Sequence, residues 1–237
     1  MTGGMVYNGF DFGPYLRANP HRSLVPPTAV AVDEVPGRDG TRFRSARLGE
    51  LSIVVDVELR AGRREDVAEL RHRLAARLWS PAPAPLFLPD DPYRYHMAVL
   101  DGQSDLDVLW RTGQAQLTFR APDPVMYGAE RQAELSGETA VHVGGNRPTH
   151  PVIEVAPTGK SFRIEAPGGT IEVLAEGSFD GSKTLLIDCG ACHCELAGLN
   201  ADGRVALSSD YFALEPGENA LVATGGSGTI RWIERWI

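Results

Sequence analysis

The run TAVAVDEVPGRDGTRFRSARLGELSIVVDVEL, residues 28–59, decides how this chain is read. Its last third alternates. Leu51, Ile53, Val55, Val57 and Leu59 fall on one face, and Ser52, Asp56, Glu58 and Arg60 on the other, with Val54 the exception. A sustained period of two marks a half-buried strand. Upstream, Thr28 onward reads as a long β-arm. Glu34, Val35, Pro36, Gly37, Arg38, Asp39 and Gly40 form the turn: Pro36-Gly37 fixes one φ and frees the next, and Asp39-Gly40 offers a second bend. The expectation is a projecting hairpin whose return strand is Leu51–Leu59. Such an arm leaves edge backbone groups unpaired unless something pairs with them. A second copy of the chain is the expected partner, with the turn residues 34–40 as the oligomer interface.

Outward from this arm, the first half of the chain is mostly strands with one helix. Val6, Tyr7, Phe10, Phe12 and Tyr15 suggest a short aromatic strand and turn. Over Arg63–Trp79, Val67, Leu70, Leu74 and Leu78 recur at helical spacing, with Glu65 and Asp66 in the first turn and arginines later, as the helix dipole favours. Pro81 stops it. Leu86-Phe87-Leu88, then Tyr93, Tyr95, Met97 and Val99, then Ala115, Leu117 and Phe119 read as further strands, and Asp105-Leu106-Asp107 as a turn leading to Trp110. After Gly128 the helical stripes stop. Short apolar runs recur near 132–143, 151–156, 161–166, 170–175, 183–188, 192–197, 204–207, 211–214, 219–224 and 228–236. Turn signals such as Pro157-Thr158-Gly159 and Gly225-Gly226 separate them, a pattern of an all-β sandwich. The fold expected is therefore mainly β: an α+β domain over residues 1–128 with one helix and the hairpin, and a β-sandwich over 129–237.

The chain has 237 residues, 43% of them hydrophobic and 23% charged, which is the composition of a folded protein. No apolar run is long enough for a membrane span. Met1-Thr2-Gly3-Gly4-Met5 has neither the basic start nor the apolar core of a signal peptide. Net charge is −8. Residues 1–128 carry 15 Arg against 16 acidic residues, and 129–237 carry 8 basic against 15 acidic, so the deficit sits in the second half. Neutralising phosphates drives duplex binding, so an acidic chain is not a sequence-specific nucleic-acid binder.

In order and spacing the chain resembles the distal tail protein (Dit) family of long-tailed phages and phage-like tails. The resemblance rests on Glu34 to Gly40, on the helix at 63–79, and on Pro89-Asp90-Asp91-Pro92-Tyr93-Arg94-Tyr95 followed by Leu100-Asp101-Gly102 and Phe119-Arg120-Ala121-Pro122-Asp123-Pro124. In the second half it rests on Gly145-Asn146-Arg147-Pro148-Thr149-His150-Pro151-Val152-Ile153 and Tyr211-Phe212-Ala213-Leu214-Glu215-Pro216-Gly217-Glu218-Asn219. The resemblance implies a galectin-like sandwich. It also implies a homo-hexameric ring at the virion tail tip, assembled in the host cytoplasm. In that ring the first domain docks on the tail tube protein, and the sandwich faces the hub, tail fibre or receptor-binding proteins. It implies no catalysis. The alternative is a carbohydrate-binding module of a host-adhesion device, carried by the sandwich.

The chemistry-bearing residues fit that picture. Cys189-x-x-Cys192-His193-Cys194 is the one metal-like cluster, but no second cysteine pair follows to close a four-ligand site, and small buried hydrophobes at a strand turn account for it. Neither metal nor cofactor is expected. No nucleophile elbow, HExxH or phosphate loop is present. Asp90-Asp91 and Asp105/Asp107 sit where turns and caps favour aspartate. Tyr93, Tyr95, Trp110, Trp232 and Trp236 suit either sugar stacking or a core or interface.

Overall fold

The computed structural model describes residues 4–60, 67–102 and 113–237, and the side chains of 67–71 are not described. The helix residues expected at 63–66, and Asp105, Asp107 and Trp110, lie outside the described residues. The chain divides into two compact units, Met1–Tyr127 (with Ile237) and Gly128–Trp236. Among the described residues the protein is mainly β, its named strands pairing antiparallel, with one α-helix.

In the first unit, β1 (Val6–Tyr7) and β2 (Phe10–Asp11) make a tight hairpin. Its turn places Asn8 and Gly9 at φ 49° and 73°. Then follow β3 (Leu16–His21), β4 (Thr28–Glu34), β5 (Thr41–Leu48), β6 (Leu51–Leu59), α1 (Val67–Leu78), β7 (Ala84–Leu88), β8 (Asp91–Asp101) and β9 (Gln114–Ala121). Strand β6 is central, pairing with β3 on one side and β9 on the other. β8 joins β9 through Val99–Asp101, and joins β7 through the rest of its length. The alternation of β6 now has its cause: Leu51, Ile53, Val55 and Val57 are buried, facing a core that includes Tyr7, Phe12, Leu16, Leu86, Leu117 and Phe119. Tyr7 and Phe119 pack with ring centroids 5.1 Å apart, and the Tyr7 hydroxyl donates to Ala98 O at 3.2 Å. Leu74 and Leu78 of α1 bury in the same core.

One expectation is corrected here. The return strand of the arm is not Leu51–Leu59 but β5, Thr41–Leu48, which pairs with β4 from Thr28↔Leu48 to Glu34↔Thr41 in a sheet of its own. A strict period of two signals burial of one face, not hairpin pairing. In β5 that period is broken, because register shifts between Ala31 and Val32 and leaves Arg44 as an extra residue opposite them. Along β8, His96 and Ala98 are buried, whereas Tyr93 is 76% exposed. The core face is therefore the parity opposite to Tyr93, Tyr95, Met97 and Val99. Tyr95 sits half-buried between the rings of Phe87 and Tyr127, at 5.1 and 5.6 Å.

The second unit comprises β10 (Met126–Val143, which begins at the end of the first unit), β11 (Val152–Ala166), β12 (Gly169–Asp180), β13 (Leu185–Asp188), β14 (His193–Leu196), β15 (Leu199–Asn200) and β16 (Gly217–Trp236). The runs expected at 151–156 and 161–166 are one strand, β11, and those at 219–224 and 228–236 are one strand, β16. The turn signals between them are internal kinks. β11 and β16 pair on both sides of a break that skips from Pro157↔Gly226 to Arg163↔Thr224. At that break Gly159 and Gly225 take φ of 79° and 78°. A Cβ on Gly225 would stand 2.0 Å from the Ser161 carbonyl oxygen. Glycine here admits a close backbone approach. The run expected at 204–207 is a short 3-10 turn, Asp202–Arg204, with one bridge at Val205. The run at 211–214 is irregular chain fixed by the Thr149–Leu214 pair, whose backbone bonds are 2.9 and 2.7 Å. Phe162, Ile164, Ile171, Val173, Phe212 and Leu221 fill the core. Asn219, 1% exposed, closes the 215–217 turn by bonding Glu215 N, Glu215 O and Gly217 O at 2.7–3.1 Å.

Candidate assembly surface

The hairpin β4–β5 is amphipathic. Paired residues share a face, so the register places Val30 with Ala46, Val32 with Phe43, and Leu48 at the base on one side. Ala29 with Arg47, Ala31 with Ser45, and Asp33 with Arg42 lie on the other. Arg44 joins the polar side, its Nε 3.3 Å from an Asp33 carboxylate oxygen. In a soluble sheet the apolar side of such a pattern is covered. Here it is open: Val30, Val32 and Phe43 are 55, 47 and 63% exposed. Every residue from Thr28 to Arg47 is exposed, and among the described strands β4 and β5 pair only with each other. The seven residues expected as the interface, Glu34, Val35, Pro36, Gly37, Arg38, Asp39 and Gly40, form the exposed connection at the hairpin tip, where Arg38 N donates to Val35 O at 3.2 Å. Gly37 and Gly40 have φ of 79° and 81°, the conformation this sequence of turn residues predicts.

At the base, Gly49 N donates to Pro27 O at 2.6 Å and ties the two strands where they leave the body. Beside this tie lies a cleft of about 330 Å³ lined by Pro20, Arg22, Leu24, Pro26, Pro124 and Met126, among others. Arg22 grips Asp90 with two nitrogens, at 2.6 and 3.2 Å, and places its Nη1 3.3 Å from His96 Nε2. Because arginine can only donate, that contact makes His96 Nε2 the acceptor and assigns the ring proton to Nδ1. His96 is 3% exposed, and burial first, then the Arg22 charge, pushes its pKa down to about 4. The sequence reading missed this site because Arg22, Asp90 and His96 come from separate elements. The one local signal is Pro89-Asp90-Asp91-Pro92, a turn rich in acceptors. Asp91 is engaged too, by Arg94 at 2.9 Å.

The quoted motif Phe119-Arg120-Ala121-Pro122-Asp123-Pro124 resolves into distinct tasks. Phe119 and Ala121 are buried. Arg120 bridges Asp101 at 2.6 Å and Glu50 at 3.2 Å, which holds its charge more firmly. Asp123 accepts from Val125 N at 3.1 Å and from the Tyr127 hydroxyl.

In the second unit the cysteine cluster is divided. Cys189 and Cys194 face the core, and burial pushes their thiols up to about 12 and about 11. Cys192 is not on a strand, as expected from the sequence, but in the exposed turn before β14 with φ 52°. His193 lies 3.0 Å from Asp202 and 3.2 Å from Glu195, and the Asp202 hydrogen bond raises its pKa. These residues are committed to the fold of this edge, and among the described residues no group of three or more His, Cys, Asp or Glu is placed to hold a metal. Of the aromatic rings of this unit, Phe162, Phe179, Phe212 and Trp232 are buried, and Tyr211 and Trp236 are half-buried, the latter over Gly128.

Comparison with known proteins agrees with this architecture. Residues 15–121 match the phage tail protein RIFT-related domain, and residues 144–236 match the siphovirus-type tail component, C-terminal domain. The distal tail protein of Bacillus phage SPP1 is 22% identical over 241 residues, covering 98% of this chain and 95% of that protein. Its crystal structure, described as a paradigm of hub adsorption apparatus in phages infecting Gram-positive hosts, superposes with a TM-score of 0.80 at 19% identity over 99% of both chains. A chain of the phage P2 baseplate, in its activated conformation with calcium, gives a TM-score of 0.54 at 10% identity, covering 94% of this chain and 91% of that one. At such identities the structural likeness speaks for the fold. The matched domains define a phage tail component. Within that class, the chain belongs to the distal tail protein family, whose members are structural proteins of the tail tip.

Proposed function

We propose that this protein forms a closed, homo-hexameric ring at the distal end of the tail, joining the tail tube to the hub and adhesion proteins. Residues 1–128 make the ring and dock on the tail tube protein, and the sandwich at 129–237 faces the hub, tail fibre or receptor-binding protein. One observation carries the reading: a two-stranded sheet, Thr28–Leu48, whose apolar side is open in the single chain. A lone hairpin is marginal in water and needs a surface to pack on. Head-to-tail contacts that close on themselves give every copy that surface. The hairpin tip, Glu34 to Gly40, reaches furthest from its base and is assigned to the neighbouring copy. The ring count follows the family resemblance.

Native mass spectrometry of the full chain at micromolar concentration, alone and with tail tube protein, tests this. The expected species is six times the 25.6 kDa protomer mass, and electron microscopy should show an annulus. A protein that stays monomeric under both conditions would remove the ring.

A further inference from the structure

We propose that a pocket in the second unit, between the far half of β12 and the Asp202–Arg204 turn, binds one acidic unit of a polymer, a sugar carboxylate or a polyol phosphate, through Arg204 and Lys183. This goes beyond the ring reading and does not depend on it.

The pocket holds about 170 Å³ and lies wholly within the second unit. Pro157 reaches it from the kink of β11, Glu176 and Phe179 from β12, Lys183 from the connection to β13, Leu196 from β14 and Arg204 from the 3-10 turn. Backbone bonds tie its walls. Gly181 N donates to Pro157 O at 2.9 Å, Ala197 N to Thr184 O at 2.8 Å, and Arg204 N to Ala201 O at 2.9 Å. A site tied in this way is in place before a ligand arrives, so little ordering cost falls on binding.

The chemistry of the lining points to an anion. Residues 129–237 carry 8 basic against 15 acidic residues, yet two of those eight line this one pocket. Neither is firmly committed. The Arg204 side chain is only 30% exposed, and among the described residues its one ion-pair partner is Glu176, with Nη2 3.2 Å from Oε1. Glu176 is 81% exposed, so water competes for that pair and it is weak. Most of the five N–H donors of the Arg204 fork are left over. Among the described residues the Lys183 ammonium takes part in no hydrogen bond or ion pair. The pocket's other carboxylate, Asp180, is occupied: its Oδ1 accepts from Ser182 N at 2.9 Å and from Ser182 Oγ at 2.6 Å. The lining therefore has donors and positive charge to spare and lacks an acceptor. A carboxylate or a phosphate supplies one, and an arginine fork matches either group bidentately.

The floor extends the assignment from an ion to a unit of a larger molecule. Phe179 and Leu196, 9 and 8% exposed, and Pro157 are apolar. A bare ion would leave that surface uncovered, whereas the C–H groups of a sugar ring or a polyol chain would lie on it. Pockets that enclose a whole small molecule run to about 300–1,000 Å³. This smaller one takes a single unit and leaves the rest of the chain outside.

Isothermal titration calorimetry on the full chain at low ionic strength tests this, with glucuronate, glycerol phosphate and glucose as the probes. Both anions should bind in the millimolar range and glucose should not, and the tighter anion names the source. Lys183→Gln, at an exposed position, and Arg204→Gln should each weaken binding about tenfold, the loss of one charge-assisted contact. Glu176→Gln, which frees Arg204, should tighten it by up to about fivefold. Failure of both anions to bind the wild type, equal binding of glucose, or an unchanged affinity in Lys183→Gln and Glu176→Gln would overturn the proposal. Monomer and ring carry the pocket alike, so the answer stands apart from that of the ring.

Discussion

His96 and His193 show how neighbouring charge and burial set opposite pH behaviour in one chain. His96 is buried and neutral, its pKa pushed down to about 4 from an ordinary 6.5. The unfolded chain therefore binds a proton that the folded chain refuses. Stability is full above pH 6.5 and falls as pH drops from 6.5 toward 4, by up to about 3 kcal/mol over that window. His96→Gln should flatten this slope. Urea unfolding at pH 7, 5.5 and 4.5 would show it, and an unchanged slope would mean that other groups carry the acid sensitivity. His193 works the other way. Asp202 raises its pKa, so its contribution is present in full below pH 6.5 and is lost as pH rises through the folded value. His193→Gln should lower the melting temperature at pH 5.5 and leave it nearly unchanged at pH 9. Equal losses at both would point to packing rather than charge. Asp202 is the less clean site for such a test, because it also accepts from the Cys194 backbone N–H at 2.7 Å.

At the scale of elements, two glycines with the same backbone sign have different reasons. Gly159 and Gly225 both lie near φ +79°, but a Cβ on Gly159 meets nothing within 4 Å, whereas on Gly225 it meets the Ser161 carbonyl at 2.0 Å. Gly159→Ala should cost about 1–2 kcal/mol for the left-handed conformation alone. Gly225→Ala forces the β11–β16 kink apart and should cost more than about 3 kcal/mol. Equal costs in denaturant unfolding would show that the kink relaxes. Strand β6 and the hairpin make a second contrast. Ile53 is fully buried in the first core, so Ile53→Ala should destabilise by about 2–5 kcal/mol. Val32, open in the single chain, should change protomer stability by under about 0.5 kcal/mol when cut to alanine. A large loss at Val32 under dissociating conditions would mean that the hairpin packs on its own body. The same contrast explains what the residue pattern disclosed. Leu51–Leu59 announced itself as a strand because its core face is regular. Thr41–Leu48 did not, because the extra Arg44 shifts the parity between Arg42 and Leu48.

At the scale of the whole molecule, the sequence by itself determined the class: mostly strands, one helix within 63–79, a change of texture after Gly128, and an order of motifs typical of distal tail proteins. These are legible because local alternation, turn residues and helical spacing are set by neighbours a few positions away. Only the tertiary structure decided which strand closes the arm, that Pro157–Gly159 and Gly225–Gly226 are kinks within long strands, and that Arg22, Asp90 and His96 meet at one cleft. Those facts depend on pairings between residues far apart in the chain. The glycine that ends a strand and the glycine that bends one are written with the same letter, and only the strand lying across from it tells them apart.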